Sequence, residues 1–437
     1  MLPEIDAIDA IVAAHIDLDG PGAAVALIKH GELLHAKGYG FASLEWRQQV
    51  APDMVFGIGS LTKSFTATAI LVLERDGKLR LDDPITAYLP DYPLGDRPIT
   101  IAHLLTHTSG IVNFVTQPGF WERTAMLPHT PRELLDLFTS LPPNFAPGER
   151  YSYSNSAYCL LGLIIETISG MPYGAFMREH VFAPLGMPHS HYLLDEQIIP
   201  HRASGYMRTE RGHERAPQFS MTLPYAAGGL GSSLDDLIQW DRALRAQHLL
   251  DANAYQRMRT PVRLNYGRTE DYGFGLALSN FRGLRVLHHA GGVPGFSSFY
   301  GHLVEDDNTI IVLSNIGLFD AGGLARDICA SVLRLPATPR TVIPSTPEII
   351  RKMLGVYTDG IFTFTVTQDA HGLHVSGDAD YDLELVSENV ARAVADDDVA
   401  IFFADDGPQG YTRAKAVVPF FWISGYRISE GEQRSGV

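Results

Sequence analysis

The chain has 437 residues, a formal net charge of −16, and a composition that is 45% hydrophobic, 10% aromatic and 19% charged. That is globular material, enough for two or three folded units, and not the composition of a disordered chain. So acidic a chain is repelled by phosphate backbones and anionic lipid surfaces, so nucleic acid and membranes are poor partners for it.

The first residues, Met1 to Asp6, carry no basic segment and no long apolar core, and therefore do not read as a signal peptide. No uncharged apolar run reaches the length of a membrane span. The localisation expected is cytoplasmic as the chain stands, or secreted or periplasmic if a leader was removed. Cys159 and Cys329 both lie in apolar helical patterns, where reduced buried thiols are expected.

Residues 4–15 alternate acidic and apolar positions with a helical period. Residues 23–29, Ala-Ala-Val-Ala-Leu-Ile-Lys, read as a buried strand, and His30-Gly31-Glu32 turns the chain into a return strand from Leu33 to Ala42. Next comes Phe56-Gly57-Ile58-Gly59-Ser60-Leu61-Thr62-Lys63, running into an apolar helix that reaches Leu73. Ser60 and Lys63, at i,i+3 spacing, lie on one face and can meet. A serine hydroxyl becomes a nucleophile when a neighbouring base takes its proton, and an amine of lowered pKa can do so. The free N–H groups at a helix start also favour a developing oxyanion. An ordinary helix cap explains the same residues. The chain has only six lysines.

From 84 to about 230 the signals are helical with many loops. Thr100 caps a predicted helix that runs to Ser109-Gly110, and a second spans Pro131 to Leu141. A third, very apolar, spans Ser154 to Ser169 and stops at Gly170. Others are expected over Tyr173 to Phe182 and, capped by Ser233, over Leu234 to Leu249. Strands return at Leu284–Ala290, Phe296–Val304 and Thr309–Ser314, followed by a helix from about Gly322 to Leu333. Strands at both ends with helices between them predict one sheet assembled from both termini. Residues 336–347, with Pro336, Pro339, Pro344 and Pro347, suit an extended linker. Short strands follow at Phe362–Thr367, Leu373–Ser376, Leu383–Val386, Val399–Phe403 and Phe420–Ser424, the spacing of a small β-barrel or sandwich.

Two distant segments bear on Ser60. Tyr153-Ser154-Asn155 precedes the third helix, where a phenol and an amide two residues apart can both face a cleft. A plain helix cap beside a packed tyrosine is the alternative. His288-His289-Ala290-Gly291-Gly292 ends a strand, where glycines let a ligand approach the backbone. The N–H of Gly292 could join that of Ser60 in an oxyanion hole. A glycine-rich turn with an incidental histidine is the alternative. His103 and His107 stand i,i+4 as in a zinc helix, but Leu104 occupies the position where a metalloprotease needs its glutamate.

Together, Ser60-Leu61-Thr62-Lys63, Tyr153-Ser154-Asn155 and His289-Ala290-Gly291 resemble the three motifs of the penicillin-recognising serine enzymes: class C β-lactamases, D-Ala-D-Ala carboxypeptidases, D-aminopeptidases and related esterases. The surroundings His103 to Gly110, Pro147-Gly148-Glu149 and Gly228 to Ser233 are similar too, so the resemblance covers about residues 5–335. It implies an α/β catalytic domain over 1–335. In it an antiparallel sheet is flanked by helices, and an all-helical subdomain is inserted at about 84–230. It also implies Ser60 as the acylated nucleophile, Lys63 and Tyr153 sharing the acid–base work, and Asn155, His289 and Gly291 against the substrate. The N–H groups of Ser60 and Gly292 would form the oxyanion hole, with no metal or organic cofactor. The departure is His289 where a lysine is usual, since histidine is mostly neutral at pH 7. In relatives such a histidine goes with peptidases acting on D-residues. Residues 348–437, opening with Leu354-Gly355-Val356-Tyr357-Thr358-Asp359, resemble the lipocalin-like barrel of some D-aminopeptidase-type relatives.

The function expected is hydrolysis, through an acyl-enzyme, of amides in small peptides containing D-amino acids, as by a D-aminopeptidase or a D-Ala-D-Ala carboxypeptidase. An esterase, lactonase or weak β-lactamase on the same machinery is the rival, and a non-catalytic binding protein of the same fold is the rival from another class. The partner expected is a small molecule or short peptide, with homo-oligomerisation open.

Overall fold

A computed structural model of the chain describes residues 3–93, 98–337, 340–358, 363–370, 372–377, 380–407, 410–418 and 421–427. Asp359, Phe362, Phe420 and part of the predicted linker lie outside the described residues. The chain divides into two units, one of residues 1–278 and 285–333, the other of residues 279–284 and 334–437.

The first unit is built on an antiparallel sheet drawn from both ends of the chain. Within this unit the strand order is 285–293, 296–303, 308–314, 23–29, 32–39. Ala23–Lys29 pairs antiparallel with Asn308–Ser314 on one side and with Glu32–Tyr39 on the other. Residues 23–28 are all buried, as a central strand covered on both faces must be. Side chains alternate across it: Ala24, Ala26 and Ile28 join the main core with Phe65 and Trp240, while Val25 and Leu27 are buried on the opposite face. Helix Leu234–Ala246 packs on strands 23–29 and 308–314, and helix Ala321–Val332 packs on strands 296–303 and 308–314 and on helix Pro3–His15.

Helix Thr62–Arg75 is buried on every side from Thr62 to Leu73, the signature of a helix inside the core rather than on it. Phe65 stacks on Trp240 at 4.2 Å and meets Phe182 edge-on at 5.8 Å. The apolar helix Asn155–Ser169 starts at Ser154, whose hydroxyl accepts the Ala157 N–H, and stops at Gly170 in the left-handed conformation. Cys159 and Cys329 are free and buried, as expected.

Several elements differ from the sequence reading. The helix capped by Thr100 covers only Ile101–Leu105, because the chain turns left-handed at His107 (φ +58°) and cannot continue. Helix Pro131–Asp136 ends short of Leu141, tightening into turns that join Phe138 to Leu135 and Leu141 to Phe138. Helix Tyr173–Met177 passes into a single wide turn, Arg178–Phe182. Between 84 and 230 the helices are joined by strands the periodicity did not announce, including the hairpin Tyr206–Thr209 and Gly212–Arg215. Only Tyr206 of its residues is buried and most of the others are polar or charged, so there is little apolar alternation to read.

The second unit is a closed eight-stranded barrel, from Gly355–Thr358 to Phe421–Arg427, in keeping with the lipocalin-like resemblance. Tyr357, Phe364, Val366, Leu383, Leu385, Ile401 and Phe403 fill its core. Strands Val390–Ala393 and Gly410–Val418 were not expected; alanines and the cations Arg392, Arg413 and Lys415 mask their alternation. The Pro-rich segment is tied to this barrel rather than free. The Ile343 N–H donates to Leu385 O, and Arg340 donates to the carbonyls of Ala393 and Val394. Among the described residues no single helix is long and apolar enough to cross a membrane.

Gly162 tests the packing. A helix-interior Gly→Ala change ordinarily stabilises by about 1 kcal/mol. Here the added Cβ would lie 2.5 Å from Ala226 Cβ and 2.5 Å from Tyr225 Cε1. Overpacking of that kind costs about 1–3 kcal/mol, so Gly162→Ala lowers the urea midpoint; an unchanged or raised midpoint would contradict this packing.

Candidate active site

Three segments build the site. The strand pair Phe56–Gly57 and Leu230–Ser232 leads the chain to Ile58, whose N–H donates to Leu230 O. This pairing is the physical role of the Gly228–Ser233 motif. Ser60 then sits in a tight turn, Gly59–Leu61, that runs directly into helix Thr62–Arg75. It is partly exposed, whereas Lys63 one turn on is fully buried.

The Lys63 amine lies 3.0 Å from Ser60 Oγ, 2.9 Å from Asn155 Oδ1 and 2.8 Å from the carbonyl of Ala227. Burial pushes its pKa well below the ordinary lysine range. The neighbouring Cys159 thiol pulls the other way, but burial pushes that thiol up to about 12 and so keeps it uncharged. The amine also stands 4.6 Å from the ring centroid of Tyr153. Burial raises the Tyr153 phenol above its usual range, opposed by a side-chain hydrogen bond with Ser60. Ser154 caps the helix and Asn155 reaches Lys63, so the cap and the site are the same turn.

The third segment is strand Leu284–Val293. Ser298 Oγ donates to Ile58 O at 2.8 Å, and a Cβ on Gly291 would lie 2.0 Å from that same oxygen. Gly59 has φ +50°, and its Cβ would lie 2.4 Å from Gly292 N. Only glycine at both 59 and 291 lets the strand close on the serine turn. A Cβ on Gly292 would meet open space.

His289 is buried. Its Nδ1 lies 2.6 Å from Ala290 O and its Nε2 3.0 Å from the Tyr272 hydroxyl. A carbonyl can only accept, so Nδ1 carries the proton and Nε2 accepts from Tyr272. Burial, then the charge of Lys63, lowers its pKa to about 3, against the bond to Ala290. This imidazole is neutral.

The structure therefore brings Ser60, Lys63, Tyr153 and Asn155 together and lays Gly291 and Gly292 against the serine turn. His289 turns both ring nitrogens to protein groups. The carbonyl of Ala227 was not foreseen, because a backbone acceptor leaves no side-chain signature. Tyr272 likewise stands in no motif. His103 Nδ1 is spent on the Thr100 cap and His107 is enclosed by tyrosine rings; among the described residues no group of three or more His, Cys, Asp and Glu side chains is placed to hold a metal ion. The two loops flanking the motifs are joined: Ser220 N–H donates to Ala125 O, His129 N–H to Thr222 Oγ1, and exposed Trp121 stacks on Phe219.

Residues 8–328 match the family model described as Beta-lactamase. The chain is 32% identical over 305 residues to Penicillin-binding protein 4* of Bacillus subtilis (strain 168), covering 65% of this chain and 66% of that protein. It is 29% identical over 340 residues to the D-aminopeptidase of Gluconobacter oxydans (strain 621H), covering 76% of this chain and 62% of the relative. In both cases the chain spans less than two thirds of the relative's own length. Among solved structures it is similar to the D-amino acid amidase of Ochrobactrum anthropi SV3 complexed with D-phenylalanine, with a TM-score of 0.66 and 26% sequence identity over 76% of this chain and 99% of that one. The chain belongs to the Beta-lactamase family.

Proposed function

We propose that the chain is a serine hydrolase that forms an acyl-enzyme on Ser60 and cleaves an amide adjoining a D-amino acid in a small peptide or amide. The observation that carries this reading is the buried Lys63 amine 3.0 Å from Ser60 Oγ. A neutral amine has two N–H groups and one lone pair. Asn155 Oδ1 and Ala227 O can only accept, so they take the two N–H groups. The lone pair is left for the Ser60 hydroxyl, the arrangement a general base requires.

On this reading Ser60 Oγ attacks the substrate carbonyl and its proton passes to the Lys63–Tyr153 pair. The carbonyl electrons move onto oxygen, between the N–H groups of Ser60 and Gly292. Collapse of that intermediate expels the amine, which takes a proton from the same pair. Water then attacks the ester in the same way, releasing the acid and restoring Ser60. Asn155 holds Lys63 and the substrate amide.

The D-residue preference rests on the similarity to a D-aminopeptidase and to a D-amino acid amidase complexed with D-phenylalanine, and on His289. A neutral imidazole supplies no fixed positive charge for a substrate carboxylate, which speaks against a carboxypeptidase. A second reading, an esterase or weak β-lactamase on the same machinery, draws on the similarity to Penicillin-binding protein 4*. Rates on D-phenylalanine p-nitroanilide, a p-nitrophenyl ester and nitrocefin separate them: the proposal expects the anilide to be preferred by kcat/KM.

Ser60→Ala abolishes turnover and labelling by a fluorophosphonate, read by intact mass; full labelling of that variant would overturn the mechanism. Lys63→Met keeps the buried volume, removes the amine, and lowers acylation by about 10²–10⁴-fold.

The pH dependence follows from the direction of the Lys63 shift. The active form is the neutral amine, so kcat/KM falls on acidification through a pKa that lies below the ordinary lysine range. A profile that rises only in the range of an exposed lysine would refute the assignment of Lys63 as base.

A further inference from the structure

His107 has no part in the chemistry above, yet it holds the tyrosine of that chemistry from three directions. Its carbonyl accepts the Ser152 N–H at 2.9 Å, and its ring Nδ1 accepts the Ser154 N–H at 3.0 Å. These bonds grip the backbone on both sides of Tyr153. Its ring lies against the Tyr153 ring, with centroids 4.3 Å apart and planes 35° apart.

Three costs accompany this grip. The residue is fully buried. Its backbone is left-handed, φ +58°, a region that residues other than glycine seldom enter, histidine less seldom than most. Since Nδ1 accepts, the ring proton sits on Nε2, which has no hydrogen-bond partner among the described residues. The rings of Tyr151, Tyr158 and Tyr272 enclose it. A buried polar group left unpaired is uncommon and asks for a reason. An apolar side chain would fill the space without the orphaned N–H, but could not accept from Ser154. Strain and an unmet donor at one residue are the marks of a position set by something other than stability.

We infer that His107 is a positioning residue: by gripping the amides on either side of Tyr153 and bracing its ring, it fixes the phenol against Ser60 and Lys63. The inference rests on the reading of Ser60 as nucleophile. It gives His107 no contact with substrate, so its loss acts on the rate of proton transfer and not on binding.

His107→Asn is the informative variant. Asparagine tolerates the left-handed backbone and offers an acceptor close to where Nδ1 lies, but it has no ring. His107→Ala removes both acceptor and ring. Labelling of Ser60 by a fluorophosphonate gives a substrate-independent rate, and a p-nitrophenyl ester gives kcat and KM. Circular dichroism and thermal midpoints correct each rate for the folded fraction. The expected result is a fall in labelling rate and kcat of at least tenfold for His107→Ala and a smaller fall, at least threefold, for His107→Asn, with KM within twofold of wild type in both. If His107→Ala does not fold, His107→Asn decides alone. Wild-type labelling rates in the folded variants, or a raised KM with unchanged kcat, would overturn the positioning role while leaving the hydrolase reading intact. Absence of label on Ser60 in the wild-type protein would overturn the hydrolase reading and this inference with it.

Discussion

A lysine amine enclosed in the protein core with no carboxylate to hold its charge is the constraint on which the first unit is arranged. Keeping an ammonium there would cost several kcal/mol of lost hydration, and the burial-driven fall in its pKa expresses that cost. The amine still needs acceptors, and the fold brings them from two distant places. Asn155 comes from the start of the long apolar helix, and Ala227 from the short helix Tyr225–Gly228 packed against it. The short helix is itself held: Thr66 Oγ1 donates to Ala226 O and shares a hydrogen bond with the Tyr173 hydroxyl. Gly162 gives it room to lie close. Packing that reads as ordinary core therefore sets the direction of two oxygens, and with them the direction left to the amine's lone pair.

Closing the site from the other side requires two backbones to meet with almost nothing between them. At Gly59 and Gly291 an added Cβ would collide with Gly292 and with Ile58. Ser298 fastens the contact by donating to the Ile58 carbonyl. The serine turn is thus held by the core helix below it and by the sheet beside it, and its geometry depends on neither a loop nor a long side chain. Such support from regular elements is what a preorganised site needs.

Much of this was legible in the sequence. Strand Ala23–Lys29 was read to the residue, since a run buried on both faces is apolar throughout. Ser154, Gly170, Thr100 and Ser233 act as the stop and start signals their chemistry predicts. Ser60, Lys63, Tyr153 and Asn155 were named from motif spacing and do converge. What was not legible depends on tertiary context. The left-handed turn at His107 ends a helix whose apolar period continues to Ile111. Ala227 contributes through its backbone, which any residue could offer. The tautomer of His289 is decided by the backbone carbonyl of Ala290 and matched by Tyr272, whose position in the sequence gives no hint of the meeting.

That tautomer bears on selection. Lys63, His107 and His289 are three basic groups in one enclosure, and burial lowers the pKa of each, with Lys63 adding to the shift of both histidines. A charge on any one raises the cost of charging the others, so the neutral state of all three is mutually reinforced. An anionic substrate group therefore finds no fixed cation among these residues. On the proposed reading, recognition falls to backbone donors, to the Asn155 amide and to shape. An uncharged amide with an apolar side chain fits those terms better than a free carboxylate does, and the same electrostatics that leave Lys63 able to accept a proton deny the site a simple anchor for an acid.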